Sequence, residues 1–469
     1  MKNQITYPSQ IFNFIDDQFQ QSKESQTFVK KLPFDEQNIS VVNSCSMDLV
    51  QSLQGANKAF NDWRSSTIED RLLLIDRIQN YLIENKLKFA ELESLDQGLS
   101  VSFSMVSNIE VAIQKMSQLK YELEEGVASH LDVLPIGVVG VILSWNLSTR
   151  LFVENVIPAI LAGNAVVVKI SSYAPVTAYL WGELFQNIGL PSGLVQIMHS
   201  QDQQFKMLFI SHPSIKAICA TMDLNHATNI YKTIASLSKQ QFKKLQIHSG
   251  SKNTCAFLKD PNEIEMKNVV DSFLLGQGQL HWNNARLFIL EKNEKIWIEF
   301  IQNYLNELKP SESIYDSSVW TPILKTESIH QFQTIISQAK ADQAKVLTSS
   351  CKPANSKFLN AFFTKDMSNC SVLQQDQVSG PAFIVSIVKY PFDIPKYSNV
   401  SYYGFSADIW TEEGKNKKVI QQLEVGHVSV NRWNLHCIDS IYGVKQSAFG
   451  QTDRKIFGSF FSNVKKMTQ

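Results

Sequence analysis

The arrangement of apolar and polar positions along the chain changes near residue 130. Before that point apolar residues recur at helical spacing, so residues 1 to about 130 are predicted to be mainly helical. The clearest helix start lies at Ser66 and Thr67, because each is followed three residues later by an acidic side chain, the pattern of a capping box. The sequence therefore predicts a helix-rich N-terminal part.

From residue 137 onward, continuous apolar segments alternate with segments of helical period. Strands are predicted at 137–143, 164–170, 194–198 and 215–219, and helices at 152–161 and about 176–188. Buried strands separated by helices indicate a parallel sheet that is covered on both faces. Ligands on such sheets bind beyond the carboxyl ends of the strands.

A second α/β segment is expected from about residue 253 to 445. Its predicted strands lie at 286–290, 383–388 and 427–431. The segments 316–326 and 349–357 lack a clear period and each contains a proline, so both are predicted to be loops. A chain of 469 residues is too long for one small core, and two or three domains are therefore expected.

Composition narrows the class of protein. The chain is 44% hydrophobic and 19% charged, which is typical of soluble globular proteins. Its 44 basic and 44 acidic residues cancel, so neither nucleic acid nor an anionic membrane surface is expected as a partner. The longest apolar run, 136–143, is far too short to cross a bilayer. The first residues contain no apolar run that would predict a signal peptide.

Cysteine usage indicates the compartment. The six cysteines are scattered and show no C-x-x-C spacing, so they predict free thiols in a reducing cytoplasm rather than a disulfide framework or a zinc site. They are Cys45, Cys219, Cys255, Cys351, Cys370 and Cys437.

Six short segments are similar, in this order, to segments of the aldehyde dehydrogenase family: PIGVVG at 135–140, SWN at 144–146, AGNAVVVK at 162–169, GP at 380–381, YGFSA at 403–407 and GHVSVN at 426–431. Each segment is weak alone, but six in the family's order identify the fold. The resemblance covers the chain from roughly residue 40 to the end. It implies NAD(P)-dependent oxidation of an aldehyde to a carboxylic acid.

The resemblance also implies the architecture, which is an α/β fold with a Rossmann-like parallel-sheet domain and a second α/β domain of the catalytic type. The implied division is 1–250 for the dinucleotide-binding-type domain and 251–448 for the second domain. A C-terminal segment, 449–469, is expected to return to the first domain or to a dimer interface.

The stretch GQLHWNNAR at 278–286 resembles the Gly-Gln-x-Cys signature that carries the family's nucleophilic cysteine. Gly278 and Gln279 match the residues before the cysteine in this signature, and Arg286 matches one after it. His281 stands where the family keeps its cysteine. The covalent chemistry implied by the resemblance is therefore missing its usual nucleophile.

Two further catalytic positions follow from the resemblance. The family takes its general base from Glu-Leu-Gly-Gly-Lys, which here reads HSGSK at 248–252, so His248 occupies the glutamate position. The family's oxyanion donor is the asparagine of Trp-Asn, which is retained as Asn146. The candidate catalytic residues are thus Asn146, His248 and His281.

The family reaction needs a thiolate that adds to the aldehyde and later leaves as a thioester sulfur. An imidazole at His281 cannot form a comparable stable acyl intermediate. A histidine pair doing altered acid–base work remains one interpretation, and a decayed site is the favoured one for oxidative chemistry. Metal binding by the pair lacks an evident third ligand. Cys255 lies in an apolar strand, where a buried thiol is expected to be inert.

The resemblance implies NAD or NADP as cofactor and assigns cofactor contacts to Trp145, Lys169 and Gln377. The family's Phe-Thr-Gly-Ser segment, which leads into the helix that meets the pyrophosphate, reads ATMD at 220–223. Met222 replaces a glycine that allows close backbone approach. Asp223 places a carboxylate beside a dianion, and its simplest role is a helix N-cap. Dinucleotide binding is therefore expected to be weak or absent.

Three functions remain open. The chain is a catalytic dehydrogenase of aldehyde-like small molecules with altered residues, a non-catalytic binding or structural subunit, or an NAD-independent hydrolase that uses His248 and Asn146. The segment 460–466 resembles the family's C-terminal pairing strand, but only about ten residues separate the helix that ends near Glu125 from Pro135, where family members place a longer hairpin. A homodimer, or pairing with a homologous subunit, is therefore expected rather than a tetramer.

Overall fold

Two large sheets organise the chain. The structure is a computed structural model. It describes residues 6–34, 37–128, 133–237, 242–342, 344–351, 355–365, 368, 370–433, 435, 443–450 and 460–465. Cys437 and residues 352–354 of the predicted loop at 349–357 lie outside these ranges, as does Lys466.

The strands are numbered in chain order. They are β1 Gln10–Ile11, β2 Asn13–Ile15, β3 Gln18–Gln20, β4 Thr27–Lys31, β5 Asn38–Val42, β6 Val133–Pro135, β7 Val138–Ile142, β8 Ala165–Lys169, β9 Val195–Met198, β10 Ile215–Met222, β11 Lys244–Ser249, β12 Asn253–Phe257, β13 Asn284–Leu290, β14 Lys345–Thr348, β15 Phe362–Lys365, β16 Ala382–Val388, β17 Tyr403–Gly404, β18 Ser406–Trp410, β19 His427–Val430, β20 Val444–Lys445, β21 Ala448–Gly450 and β22 Ser462–Val464.

The α-helices are numbered in the same way. They are α1 Ser46–Trp63, α2 Ile68–Glu84, α3 Lys86–Gln97, α4 Val101–Ser104, α5 Val111–Ala128, α6 Ser148–Asn155, α7 Ile157–Leu161, α8 Val176–Ile188, α9 Gln203–Ser211, α10 Leu224–Ala235, α11 Glu263–Leu274, α12 Glu294–Glu307, α13 Thr326–Ala341, α14 Val372–Gln375, α15 Ile394–Ser398 and α16 Lys417–Gln422. A π-helical turn, Met105–Glu110, joins α4 to α5.

The first sheet has eight strands in the order β21-β11-β10-β7-β8-β9-β2-β3. Its five central strands are parallel. Strands β8 and β9 follow β7 on one side of it in the sheet, and the next two strands in sequence, β10 and β11, lie on its other side. The strand order therefore reverses between β7 and β10, and the crevice beyond the carboxyl ends of such a pair is where α/β sheets bind ligands.

The second sheet has seven strands in the order β14-β15-β16-β13-β12-β18-β19, and all its pairs are parallel except β14 with β15. The two sheets confirm the predicted α/β fold. In sequence they separate between Ser249 and Asn253, close to the predicted boundary at residue 250, although the domain limits themselves stay a prediction. Near the C-terminus, β21 pairs with β11, and β22 pairs with β6.

The predicted helical character of the first part is wrong for its beginning. Five short strands, β1 to β5, precede the first helix. The pair β4–β5 is built from β-branched and aromatic residues that favour strands. Residues 46–128 are mainly helical, as predicted, and Thr67 caps α2 with Asp70 in a reciprocal capping box.

The predicted helix at 152–161 is also corrected. The structure has two helices there, α6 and α7, which meet at Val156. Pro158 at the start of α7 has no N–H to donate, so a helix begins there more readily than it continues through. The first of the two helices, α6, also starts earlier than expected, directly after Asn146 and Leu147. Among the helices that the structure describes, none has both the length and the apolar content for crossing a bilayer.

Candidate active site

Asn146 follows the carboxyl end of β7 and lies just before α6. The next residue, Leu147, has a left-handed backbone with φ of 51°, which costs energy for a residue with a side chain. Its N–H donates to Oε1 of Gln97 over 3.0 Å. The hydroxyl of Ser148 donates to the carbonyl of Trp145 over 2.9 Å. These bonds fix the turn that points Asn146 into the site.

Three of the buried polar side chains in the last turns of α3 bond to other elements, and we call them the α3 anchors: Glu93, Asp96 and Gln97. Glu93 accepts hydrogen bonds from Thr149 Oγ1 at 2.8 Å and Thr177 Oγ1 at 2.9 Å, so it ties the start of α6 to α8.

Each of the two acidic anchors also serves a second element. Glu93 accepts a bond from Asn108 in the π-helical turn. Burial raises the pKa of Glu93 to about 7. Asp96 accepts from the N–H of Val176 over 3.0 Å, which holds the first residue of α8.

His281 lies in the turn between α11 and β13. Its carbonyl accepts hydrogen bonds from Ser251 Oγ at 2.7 Å and Asn253 Nδ2 at 2.9 Å. The ring packs on Trp282, with 3.6 Å between ring centres, and meets Phe405 edge-on at 5.4 Å. Nδ1 of the ring lies 3.1 Å from Nδ2 of Asn146. The oxyanion donor implied by the resemblance is therefore hydrogen-bonded to the residue at the nucleophile position.

His248 lies on β11 opposite Thr221 of β10, and it is 5% exposed. His248 and His281 line the same cavity. The structure thus brings Asn146, His248 and His281 together, while their catalytic roles stay a prediction.

The two charged residues of the cavity wall, Arg150 and Glu154 on α6, were not predicted from the sequence. They form an ion pair of 3.0 Å with side chains 1% and 4% exposed. The free volume of the cavity is about 10 Å³, roughly the space of one water molecule. Their signal in the sequence was a pair of opposite charges four residues apart, in a segment otherwise suited to a buried helix.

The signature residues around His281 have structural roles. A Cβ at Gly278 would lie 2.3 Å from the carbonyl oxygen of Gly380, in a backbone with φ of 68°. Gln279 donates to the carbonyl of Gly276 over 2.7 Å and accepts from the N–H of Leu324 over 3.0 Å. Folding alone therefore requires this part of the signature.

Arg286 has a similar structural role at the other end of the signature. It donates to the carbonyls of Lys252 at 2.8 Å and Ser398 at 2.9 Å and to Thr254 Oγ1 at 3.0 Å. Burial lowers its pKa to about 9, still well above neutral pH. Structural contacts alone thus explain why Gly278, Gln279 and Arg286 are retained, without any reaction at His281.

The start of α10 is the position where the resemblance places the pyrophosphate. Asp223 caps this helix by accepting from the N–H of His226 at 3.0 Å, and the His226 ring lies 2.8 Å from the same carboxylate. Burial opposes ionisation, yet the bonds from His226 hold the pKa of Asp223 down at about 2. A negative charge therefore occupies the helix N-terminus, and one of its N–H groups is already bonded.

The other cofactor positions are also engaged within the protein. Gln377 Oε1 accepts from the N–H of Ser251 at 3.4 Å. Trp145 is 5% exposed and belongs to the core of the first sheet. Lys169, at the end of β8, donates to the carbonyl of Ile170 over 3.3 Å. Burial, and then the charge of Lys206, lower the pKa of Lys169 to about 8.

Cys255 lies on β12 and is fully buried. Burial, and then the charge of Asp408, raise the pKa of its thiol well above the ordinary value. The predicted inert packing role agrees with this placement. Within the described ranges, no three side chains of the His, Cys, Asp and Glu types lie together as a metal site would require.

Comparison with known proteins agrees with the motifs. A family model described as the aldehyde dehydrogenase family matches residues 19–467. The chain is 26% identical to the 2-aminomuconic semialdehyde dehydrogenase of Bos taurus, over 91% of this chain and 92% of that protein.

Two solved structures are similar in fold. One is an NAD+ complex of an aldehyde dehydrogenase from Bacillus cereus, with a TM-score of 0.87, 21% identity and coverage of 97% of this chain and 96% of that one. The other is an indole-3-acetaldehyde dehydrogenase from P. syringae in complex with NAD+ and IAA, with a TM-score of 0.87, 19% identity and coverage of 97% and 95%.

Proposed function

Because the chain belongs to the aldehyde dehydrogenase family, we propose that it is a member that has kept the family fold and lost the family reaction. It is then a binding or structural protein rather than an oxidoreductase. The family reaction is oxidation of an aldehyde with a nicotinamide cofactor.

The observation that carries the proposal is the hydrogen bond between Asn146 and His281. A nucleophile in this position must add to a carbonyl whose oxygen is then bound by the amide of Asn146. Here the ring stands in place of a thiol, and its Nδ1 lies 3.1 Å from the amide nitrogen itself. The amide of Asn146 and the ring of His281 are thus hydrogen-bonded to each other. The second position, His248, carries an imidazole where the family uses a carboxylate base.

The residues present do not fit a dinucleotide. A pyrophosphate at the start of α10 would meet the carboxylate of Asp223 and the side chain of Met222 in place of free N–H groups and a glycine. Gln377 stands where the resemblance places a second glutamate of the family, the one that binds the ribose, and glutamine keeps an acceptor there but lacks the charge. We therefore propose that NAD and NADP bind weakly or not at all.

Location and assembly complete the proposal. The described cysteines are all free, which supports a reducing compartment such as the cytoplasm. In the described part of the chain, β19 ends the second sheet and the β6–β22 pair joins no further strand. Unpaired edges of this kind support association with a second copy or a homologous subunit. Sedimentation at several concentrations tests the dimer, and a monomer throughout would exclude it.

The function is tested by NAD(P)H production with aliphatic, aromatic and semialdehyde substrates. We expect no turnover, because loss of one member of a catalytic unit removes on the order of 10⁶-fold in rate, whereas one oxyanion donor contributes about 10²–10³-fold. His281→Ala is the matched control. Turnover that disappears in this variant would make His281 catalytic and overturn the proposal.

The hydrolase hypothesis is tested on the same variants. His248 lies in the cavity, but the part of the chain that the structure describes offers it no serine or thiol nucleophile among the cavity-lining side chains. Ester hydrolysis that is lost in His248→Ala and kept in His281→Ala would favour a hydrolase over a non-catalytic protein.

A further inference from the structure

We propose that Arg150 and Glu154 fill the cavity beside His281, so that little more than a water molecule fits between them and this histidine. The inference rests on the proposed function and deepens it, since it names the residues that exclude an aldehyde-sized ligand. Both side chains line the cavity together with His248 and His281. The free volume left among them is about 10 Å³.

Arg150 is held from three directions. Its Nε lies 3.0 Å from Oε1 of Glu154, one helical turn further along α6. Its Nη1 donates to the carbonyl of Leu435 over 2.8 Å. The guanidinium carbon lies 5.0 Å from the ring centre of Trp282, within the range of a cation–π contact. A side chain with these contacts is fixed in the cavity wall.

The pair is also costly to move. Arg150 and Glu154 are 1% and 4% exposed, and separating them would leave two buried charges without their opposite charge. A ligand therefore cannot enter by displacing one partner at low cost. Ordinary lids are drawn from weakly packed segments, whereas this barrier is part of a buried helix.

The charge of Arg150 does not make the cavity a carboxylate site. Glu154 places a full negative charge 3.0 Å from the guanidinium, so an acidic aldehyde would have to compete with a covalently attached carboxylate. Size therefore excludes aldehydes of more than about one carbon, and the charge of Glu154 further disfavours those that are acidic.

Access is measured with a thiol introduced by His281→Cys. The full-length variant is treated with a methyl thiosulfonate or a benzyl thiosulfonate, and modification of position 281 is followed by peptide mass spectrometry. We expect the benzyl reagent to react far more slowly than the methyl reagent. Adding Arg150→Leu with Glu154→Ala shortens both side chains and removes both charges. This change should raise the benzyl-to-methyl rate ratio by about tenfold or more, a barrier change of about 1.4 kcal/mol.

The matched control adds Arg150→Met with Glu154→Gln, which removes the charges and keeps most of the bulk. We expect its rate ratio to stay near that of His281→Cys alone. A ratio that rises equally in both double variants, or in neither, would overturn closure by these side chains. Labelling of the exposed Cys370 reports reagent quality, and protection of the buried Cys219 and Cys255 reports an intact fold.

A double variant that unfolds still leaves a decisive measurement. If the benzyl and methyl reagents modify His281→Cys at similar rates, the cavity is open and the inference is wrong. The inference and the proposed function also fail separately. Labelling measures access to position 281, whereas aldehyde turnover by the unaltered chain would contradict only the loss of the reaction.

Discussion

Nδ2 of Asn146 and Nδ1 of His281 are 3.1 Å apart, so the amide donor and the ring are hydrogen-bonded partners. An amide N–H donates only to a ring nitrogen that carries no proton. The proton of a neutral His281 therefore lies on Nε2. This relationship defines a tautomer, and the tautomer is measurable.

We expect nitrogen NMR of the labelled protein at neutral pH to show His281 as the Nε2–H tautomer. Asn146→Leu removes the donor and should redistribute the two tautomers. Asn146→Asp is the matched variant, because a carboxylate at the same place accepts and would favour a proton on Nδ1. A spectrum with Nδ1–H in the unaltered chain would mean that the amide of Asn146 is turned the other way.

Gln97→Met should destabilise the turn that carries Asn146. The substitution leaves the N–H of Leu147 buried without its acceptor, which costs about 1–3 kcal/mol in the free energy of unfolding. Amide hydrogen exchange at Leu147 should accelerate, and the His281 ring resonances should shift. Gln97→Glu keeps the acceptor and should preserve the protection of Leu147. Equal behaviour of the two variants would contradict the role given to this bond.

Glu93 should make stability depend on pH. Burial raises its pKa from 4.5 to about 7, so between these values the folded chain holds a proton that the unfolded chain has released. Rising pH then favours unfolding, and the free energy of unfolding should fall by up to about 3 kcal/mol from this group across the interval. Denaturant titrations of the unaltered chain and of Glu93→Gln check this prediction. The decrease should be smaller in the variant, and parallel curves would refute it.

Dinucleotide binding should be recoverable in part. Met222→Gly with Asp223→Ser restores a close backbone approach and removes the carboxylate from the start of α10. Titration calorimetry with NAD and NADP should show no micromolar binding to the unaltered chain, where micromolar corresponds to about −8 kcal/mol. Weak saturable binding should return in the double variant.

Asp223→Asn separates the two causes, since asparagine is an equally good N-cap without the charge. Binding that returns in this single variant would assign the defect to charge alone. Micromolar binding to the unaltered chain would show that neither Met222 nor Asp223 blocks the site.

Most of the fold could be predicted from the sequence, because strands and helices of the first sheet follow clear apolar periods. Helix α8 was predicted from Val176 to Ile188 and has those bounds, since Gly189 supplies the left-handed residue that ends it. The family resemblance was confirmed. The strands β1 to β5 were missed because segments of two to five residues are too short to show a period of two.

The site was predictable only where a motif named its residues. The positions of Asn146, His248 and His281 followed from the signature and the strand order. The α3 anchors could not be found in this way, because Glu93 and Gln97 lie about 50 residues from the turns that they hold. Arg150 was missed for another reason. The spacing of Arg150 and Glu154 is equally typical of an exposed ion pair, and the burial of the arginine is recognisable only once the carbonyl of Leu435 is placed beside it.

The contacts of Gly278, Gln279 and Arg286 affect how dehydrogenases are recognised from sequence. Each of these residues makes contacts that the fold requires, so selection for folding would retain it whether or not a substrate is ever turned over. A signature built on these three residues therefore identifies chains that have the fold, whether or not they carry out the reaction. Under the proposed function, the side chains at positions 248 and 281 distinguish the active dehydrogenases of a genome, and this chain would be counted among the proteins with the fold but not among the active enzymes.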